Sequence, residues 1–493
     1  MRTRSLCRGT LFGVIHAPEV GFARPQAIPL VYAYCMVAGV FVLKDYLNLR
    51  EADRTMQAGS RRRSSSPSRY PPGRCPTDRQ EDPMNAPSAH PPLIAAADKG
   101  DIATIERLLA AGAKVDARDE AGRTALMAAT QRNNLPLARR LIAAGSDVNV
   151  RDITMLSPYL CAGANGFNEI LKLAIASGAD LNSVNRFGGT PLLPSSEKGF
   201  LRTVRVCLAA GIPVNRANDL GWSALLETVI LGDGGRLYGD VAEALVEAGA
   251  DKNLRDRDGK SSLEHAQAHG QERVLAIFRG EGAASGPGAE AIRRAKQAEK
   301  AERYEEALAI VEAALAQHNG DPDLGYYKGY YLYELGRNDE AIRVFETLLA
   351  ATPDAIEFHF CIAYAWRAMK QPEAALAAFD AGIAKQPQAL FLRYHKSNYL
   401  RELGRHEAAV AVMDALLARD PCRYDFAFHK GNSLRSLGRH EAALAAIEIA
   451  IASDPGNPLY RRHKAQSLRL LGREAAAIAE LAAAGRPLAA RAS

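Results

Sequence analysis

The most constraining feature of this 493-residue chain is that it repeats itself, first at one fixed period and then at a second, slightly longer one. Gly112, Gly145, Gly178 and Gly211 each end a run of small residues at equal steps along the chain, and a further copy, Gly249, follows after a longer step. Each comes after a segment with apolar i, i+3, i+4 spacing, such as Ile102, Ile105, Leu108 and Leu109. A glycine there serves as the left-handed C-cap of a helix. A chain built this way cannot wrap one central core. Each unit covers the next, and the array grows as a solenoid. The extra residues before Gly249 fall around Leu231 to Leu237 and are expected to bulge as a loop.

Beyond Gly280 to Gly288 (GEGAASGPG), which has the composition of a flexible linker, the period changes. Pro353, Pro387, Pro421 and Pro455 recur at equal steps, each one position longer than the step between the earlier glycines. Twelve residues before them stand Ala341, Ala375, Ala409 and Ala443, a series that Ala477 continues, and twelve earlier again stand Gly329, Ala363, Ser397, Gly431 and Ala465. Small side chains at these two places let antiparallel helices approach closely, while Phe345, Phe379 and Met413 fill the space between repeats.

Turn phrases followed by a helix start, namely Gly122-Arg123-Thr124-Ala125-Leu126, Gly189-Thr190-Pro191-Leu192 and Gly221-Trp222-Ser223-Ala224-Leu225, complete the shorter unit. This first array resembles the ankyrin repeat, and the second resembles the tetratricopeptide repeat (TPR), a fusion of bacterial type. The resemblance implies an all-α chain of two α-solenoids: ankyrin repeats with short β-turn tips, then a TPR superhelix. Six ankyrin units are expected from Pro91 to Phe278. Five TPR units are expected from Asp321 to Ala484, after a leading partial unit at Tyr304 to Leu315 that keeps only its second helix clearly. Two departures from the ankyrin pattern stand out. The usual His is replaced by Met127, Leu193 or Leu226, and the third unit, Ser157-Pro158-Tyr159-Leu160, lacks its turn glycine.

The domain reading is then an N-terminal extension at 1–83, ankyrin repeats at 84–279, a linker at 280–288 and TPRs at 289–493. The extension is Ser/Pro/Arg-rich, read as disordered or as upstream of a true start at Met84; its apolar run at 27–43 has the minimum length of a signal anchor. Both readings leave the repeats cytoplasmic. Seven scattered cysteines, never spaced CxxC, suit a reducing compartment, and no Cys/His metal cluster, phosphate loop or nucleophile elbow is present. The two arrays leave no stretch of catalytic-domain size, so the expectation is a non-enzymatic protein-interaction scaffold without cofactor or metal.

In the TPR resemblance the first helix of each pair lines the concave groove. One row reads Tyr326, Phe360, Tyr394, Phe428 and Arg462; the next Tyr330, Tyr364, Asn398, Asn432 and Gln466; the third Tyr333, Arg367, Arg401, Arg435 and Arg469. Guanidinium forks favour carboxylates and amides bond extended backbone, so the groove is expected to take an acidic, partly aromatic-anchored peptide. The alternative is that the arginines are a solvated face pairing with acids such as Glu402. His395, His429 and His463 recur once per TPR unit, too far apart in successive repeats to share a metal, and read as a surface row. On the ankyrin side the expected partner contacts are Arg123, Phe187, Trp222 and the insertion. The remaining alternatives are nucleic-acid binding by the arginine ladder and a small-molecule site between the solenoids. A net charge of +6 gives no whole-chain case for nucleic acid.

Overall fold

The computed structural model describes residues 91–484 apart from 153, 283–285, 420–423, 454 and 456. The expectations for 1–83, including the apolar run at 27–43, lie outside the described residues. Everything described is helical apart from turns and one isolated bridge, Arg255 to Ser261. Among the described residues no helix is long and apolar enough to cross a membrane.

Six helix pairs build the ankyrin array, from Pro92–Lys99 with Ile102–Ala110 to Ser262–Ala268 with Glu272–Arg279. The first helices begin where a hydroxyl caps them: Thr124, Ser157, Ser223 and Ser261 each accept a bond from the backbone three residues on. Each tip is shaped by one Asx side chain. Asn185 accepts from the backbones of Phe187 and Gly189, and Asn218 from those of Leu220 and Trp222. The third unit, without its glycine, makes the same turn through Met155, whose φ of 66° is left-handed. There Asp152 holds the Thr154 and Leu156 amides and keeps the turn closed against the side-chain cost.

The insertion is not the expected loop bulge. The second helices of the earlier repeats have 9 residues, whereas Arg236–Glu247 has 12, so most of the added chain is wound into a longer helix and only Gly232 to Gly235 remain as a loop. An extra helical turn satisfies its own backbone bonds, which an open bulge cannot do.

The TPR array also has six helix pairs, from Ala289–Lys300 with Tyr304–Leu315 to Pro458–Leu470 with Glu474–Ala484. The leading unit is a full pair, a correction to the partial unit expected. Ala295 takes the small-residue position of Gly329, and Glu302, at φ 57°, takes the turn position that Gly336 occupies at φ 75°. Lacking the glycine, the unit was hard to see. Lys370 substitutes for the same glycine at φ 59°.

The arrays do not hold separate cores. One buried cluster runs from Leu93 through Val241 to Phe358, a second joins Trp222 and Leu226 to Tyr394, Phe428 and Tyr460, and a third joins Tyr238 to Phe360, Phe391 and Tyr399.

Candidate functional site

The three rows expected on the groove wall do lie together, but the ankyrin array covers them. Tyr326, Tyr330, Phe360, Tyr394, Phe428, Asn432 and Arg435 are buried, and Tyr364, Arg367, Asn398, Arg401 and Arg469 are half-buried. The groove is closed by the lengthened helix Arg236–Glu247, by Glu197 and Phe200 at the inter-helix turn of the fourth ankyrin repeat, and by the ankyrin tips.

In the first half of the groove, over the first three TPR pairs, ankyrin arginines enter TPR carboxylates. Arg236 bridges Asp323 and Glu357, and Glu357 also accepts from the Arg236 amide at 2.9 Å. Arg273 reaches Asp323 at 3.1 Å, and Arg205 pairs with Glu299, which further accepts from Tyr330. Lys296 answers in the opposite sense, sitting 2.6 Å from both Asp240 and Glu243, while Tyr327 donates to Asp240. Burial works to lower the pKa of Lys296, but the two carboxylates override it and the net shift is upward. At the seam with the second half stands Tyr238, fully buried, its ring 5.4 Å from Phe391 and 6.1 Å from Phe360 and its hydroxyl donating to the Glu197 carbonyl.

In the second half the polarity is mainly reversed. The Glu197 carboxylate accepts from Tyr394 at 2.9 Å and Asn398 at 3.1 Å, and Asp219 pairs with Arg462. Burial raises the Glu197 pKa against the pull of Lys198, and burial together with Glu197 raises its neighbour Glu227 well above the usual carboxylate range. Glu402 accepts Lys198 and Arg367, both at 2.9 Å. Burial opposes its ionisation, yet Arg367 and Lys198 prevail and hold its pKa down at about 2.

The arginine ladder is therefore internally engaged at each of its four rungs. Arg367 takes Glu402, Arg401 contacts Asn398 and His429, Arg435 contacts Asn432 and His463, and Arg469 takes Glu474. The histidines are not the surface row expected. His395 and His463 are buried and His429 is half-buried, because their helix position faces the ankyrin array: His395 meets Tyr238 of the lengthened helix and His463 meets Phe187 of a tip. Burial drives the pKa of His395 down to about 3, between the hydroxyls of Tyr238 and Tyr364. His429 and His463 are lowered by burial and then by Arg401 and Arg435 respectively. Among the described residues no group of three or more His, Cys, Asp or Glu could hold a metal.

The ankyrin candidates meet the TPR array or their own repeat. Trp222 is 4% exposed, inside the cluster with Tyr394 and Phe428. Phe187 packs edge-on to Phe428 and parallel to His463. Arg123 is engaged locally, with Asp119 at 2.8 Å and Asp98 at 3.2 Å. The insertion supplies Arg236, the residue most deeply tied to the groove.

Sequence reading missed the acids of the first half, yet a signal was there. Asp323 and Glu357 lie three residues before Tyr326 and Phe360, on the same helix face. Glu299 stands in the arginine row itself, one repeat before Tyr333. Extending each row by one turn and one repeat exposes the change of sign along the groove.

A family model described as ankyrin repeats (3 copies) matches residues 75–152 and 159–256. Two tetratricopeptide-repeat models match residues 289–359, and residues 362–424 and 428–492. Among curated proteins none matches the chain. Solved structures similar to it include an ankyrin repeat domain from Acinetobacter baumannii AYE, 47% identical over 38% of this chain and 97% of that one, with a TM-score of 0.38. The ankyrin repeat protein EF0377 is 35% identical over 38% of this chain and 96% of its own, with a TM-score of 0.37. A chain from the complex of the Bdellovibrio bacteriovorus predatory endopeptidase Bd0816 with immunity protein Bd3460 is 23% identical over 39% of this chain and 100% of that one, with a TM-score of 0.35.

Proposed function

Because this chain joins an array of ankyrin repeats to an array of tetratricopeptide repeats, both generic protein-interaction modules, we propose that it is a non-enzymatic scaffold whose TPR groove takes acidic segments and is held closed by its own ankyrin array. The observation that carries this reading is the occupant of the second half. Glu197 on Tyr394 and Asn398, Asp219 on Arg462, and the rings of Phe187 and Trp222 have the acidic, aromatic-anchored chemistry that the groove rows call for. A partner segment of the same chemistry competes with them. Release of one closed contact set for another keeps the cost of exchange low, since neither state leaves the guanidiniums bare.

Affinity capture from lysate with the full chain tests this. Loosening the closure with Tyr238→Ala is expected to increase capture of proteins with acidic segments, and changing Arg367, Arg401 and Arg435 together to Glu is expected to abolish it. An identical captured set for all three chains removes the groove from the function.

A further inference from the structure

The ankyrin array does not fill the groove completely. A cavity of about 260 Å³ remains where the inter-helix turns of the third and fourth ankyrin repeats, with Gly166 and Phe200, face Tyr326, Tyr330, Tyr333, Phe360 and Tyr364 of the TPR array. It has room for about nine non-hydrogen groups at the volume a water takes in the liquid. Two features of its wall are unfinished. Among the described residues the Tyr326 hydroxyl, on a side chain 1% exposed, has no hydrogen-bond partner, and the Asn338 Oδ1 has none either. The carboxylate of Glu334 lines the same space and makes neither ion pair nor hydrogen bond among the described residues.

The cations near Glu334 are ion-paired with other acids, although the Nε of Arg202 and of Arg205 has no hydrogen-bond partner among the described residues. Arg202 binds Glu169 at 2.7 Å and lies 3.5 Å from Glu302, which also takes Lys172, and Arg205 pairs with Glu299. Glu334 is thus the one carboxylate of this cluster without an ion pair among the described residues. Burial pushes Glu334 up to about 7, with Glu299 adding to the rise and Arg202 and Arg205 opposing it. The tyrosines facing it, Tyr304, Tyr330 and Tyr333, are raised by burial and stay neutral. Tyr333 lines the cavity and makes no ring contact with another aromatic among the described residues.

We propose that this cavity binds a small organic ammonium ion, its charge set beside the rings of Tyr333 and Tyr330, away from Tyr364, whose ring already carries the Arg367 guanidinium at 5.2 Å, and paired with Glu334, and a hydroxyl on the ligand bonding to Tyr326 or Asn338. Aromatic faces with one carboxylate suit a weakly hydrated cation, since the rings contribute quadrupole attraction without demanding hydrogen bonds from it. A neutral guest of the same shape gains only the burial.

Choline chloride and its uncharged isostere 3,3-dimethylbutan-1-ol, titrated calorimetrically into the full chain, decide the matter. Choline is expected to bind at least about tenfold more tightly than the isostere, the margin cation–π attraction and one counter-ion supply. Because choline is permanently charged, its affinity is expected to rise from pH 6 to pH 8 as Glu334 gives up its proton, and Glu334→Gln is expected to shrink the preference to what the rings alone supply and to remove the pH dependence. Equal binding of choline and the isostere by the unmodified chain overturns the proposal, as does no choline binding at millimolar concentration. This outcome is independent of the acidic-segment reading, which concerns the second half of the groove.

Discussion

The two halves of the TPR groove are closed by the same ankyrin array in different ways. In the first half the closing contacts are charge pairs taken out of water: the side chains of Arg236, Asp323 and Glu357 are 16%, 14% and 14% exposed. In the second half rings and neutral donors do most of the work beside the part-buried pair of Lys198 with Glu402, and the outermost ion pair, Arg462 with Asp219, is 45% and 27% exposed. Buried pairs add little net stability over apolar contacts but punish the loss of either partner, whereas exposed pairs do neither. The first half is therefore a rigid register and the second an exchangeable contact. On the function proposed above, an acidic partner segment would enter from the end whose loss costs least.

Substitutions that separate the halves test this in descending order of effect. Tyr238→Ala removes the fully buried ring at the seam and is expected to cost about 4 kcal/mol in chemical denaturation, in the range of large-to-small core changes. It is also expected to expand the particle in small-angle scattering. Arg236→Ala strands Glu357 and leaves Asp323 with Arg273 alone, and is expected to cost about 3 kcal/mol, much of it recovered when both acids are changed to their amides. If the single change costs less than the Asp219 variant below, the register belongs to the other half.

A third test uses pH. The pKa of Glu402 is depressed from its ordinary 4.5 to about 2, so the stability it contributes is complete above 4.5 and is lost as the pH falls through 2. Glu402→Gln is expected to flatten that acid limb of the stability curve by about 2 kcal/mol, after discounting for the exposure of the side chain. An unchanged limb would show that Arg367 and Lys198 do not act through it. The smallest effect belongs to Asp219→Ala, expected below about 1 kcal/mol and diminished further by salt. A loss as large as that of Arg236→Ala would erase the distinction between the halves.

Much of this molecule was legible in its spacing. The helix ends at Gly112 and its successors, the hydroxyl caps at Thr124 and Ser223, and the close-packing positions from Gly329 to Ala465 follow from local steric rules that hold in any environment. The leading TPR was obscured because Glu302 adopts a backbone angle usually left to glycine, as Lys370 does in the third pair. The groove rows were read in the right frame, but their exposure was not, since nothing in a repeat's own period says what lies across from it. His395 and Trp222 illustrate the same gap: their types are compatible with a surface or a core, and contact with the other array decides.

By itself, then, the sequence determined two helical stacks, their periods, their caps and the rows of side chains each presents, because all of these depend on contacts within one repeat or between adjacent ones. Only the tertiary structure decided that the stacks close on each other, that the inserted residues become helix, and that charge changes sign along the groove against a matching change in the ankyrin face. Those outcomes rest on pairings such as Arg236 with Glu357 and Glu197 with Tyr394, between residues far apart in the chain, whose energy depends on shared burial that no local pattern encodes.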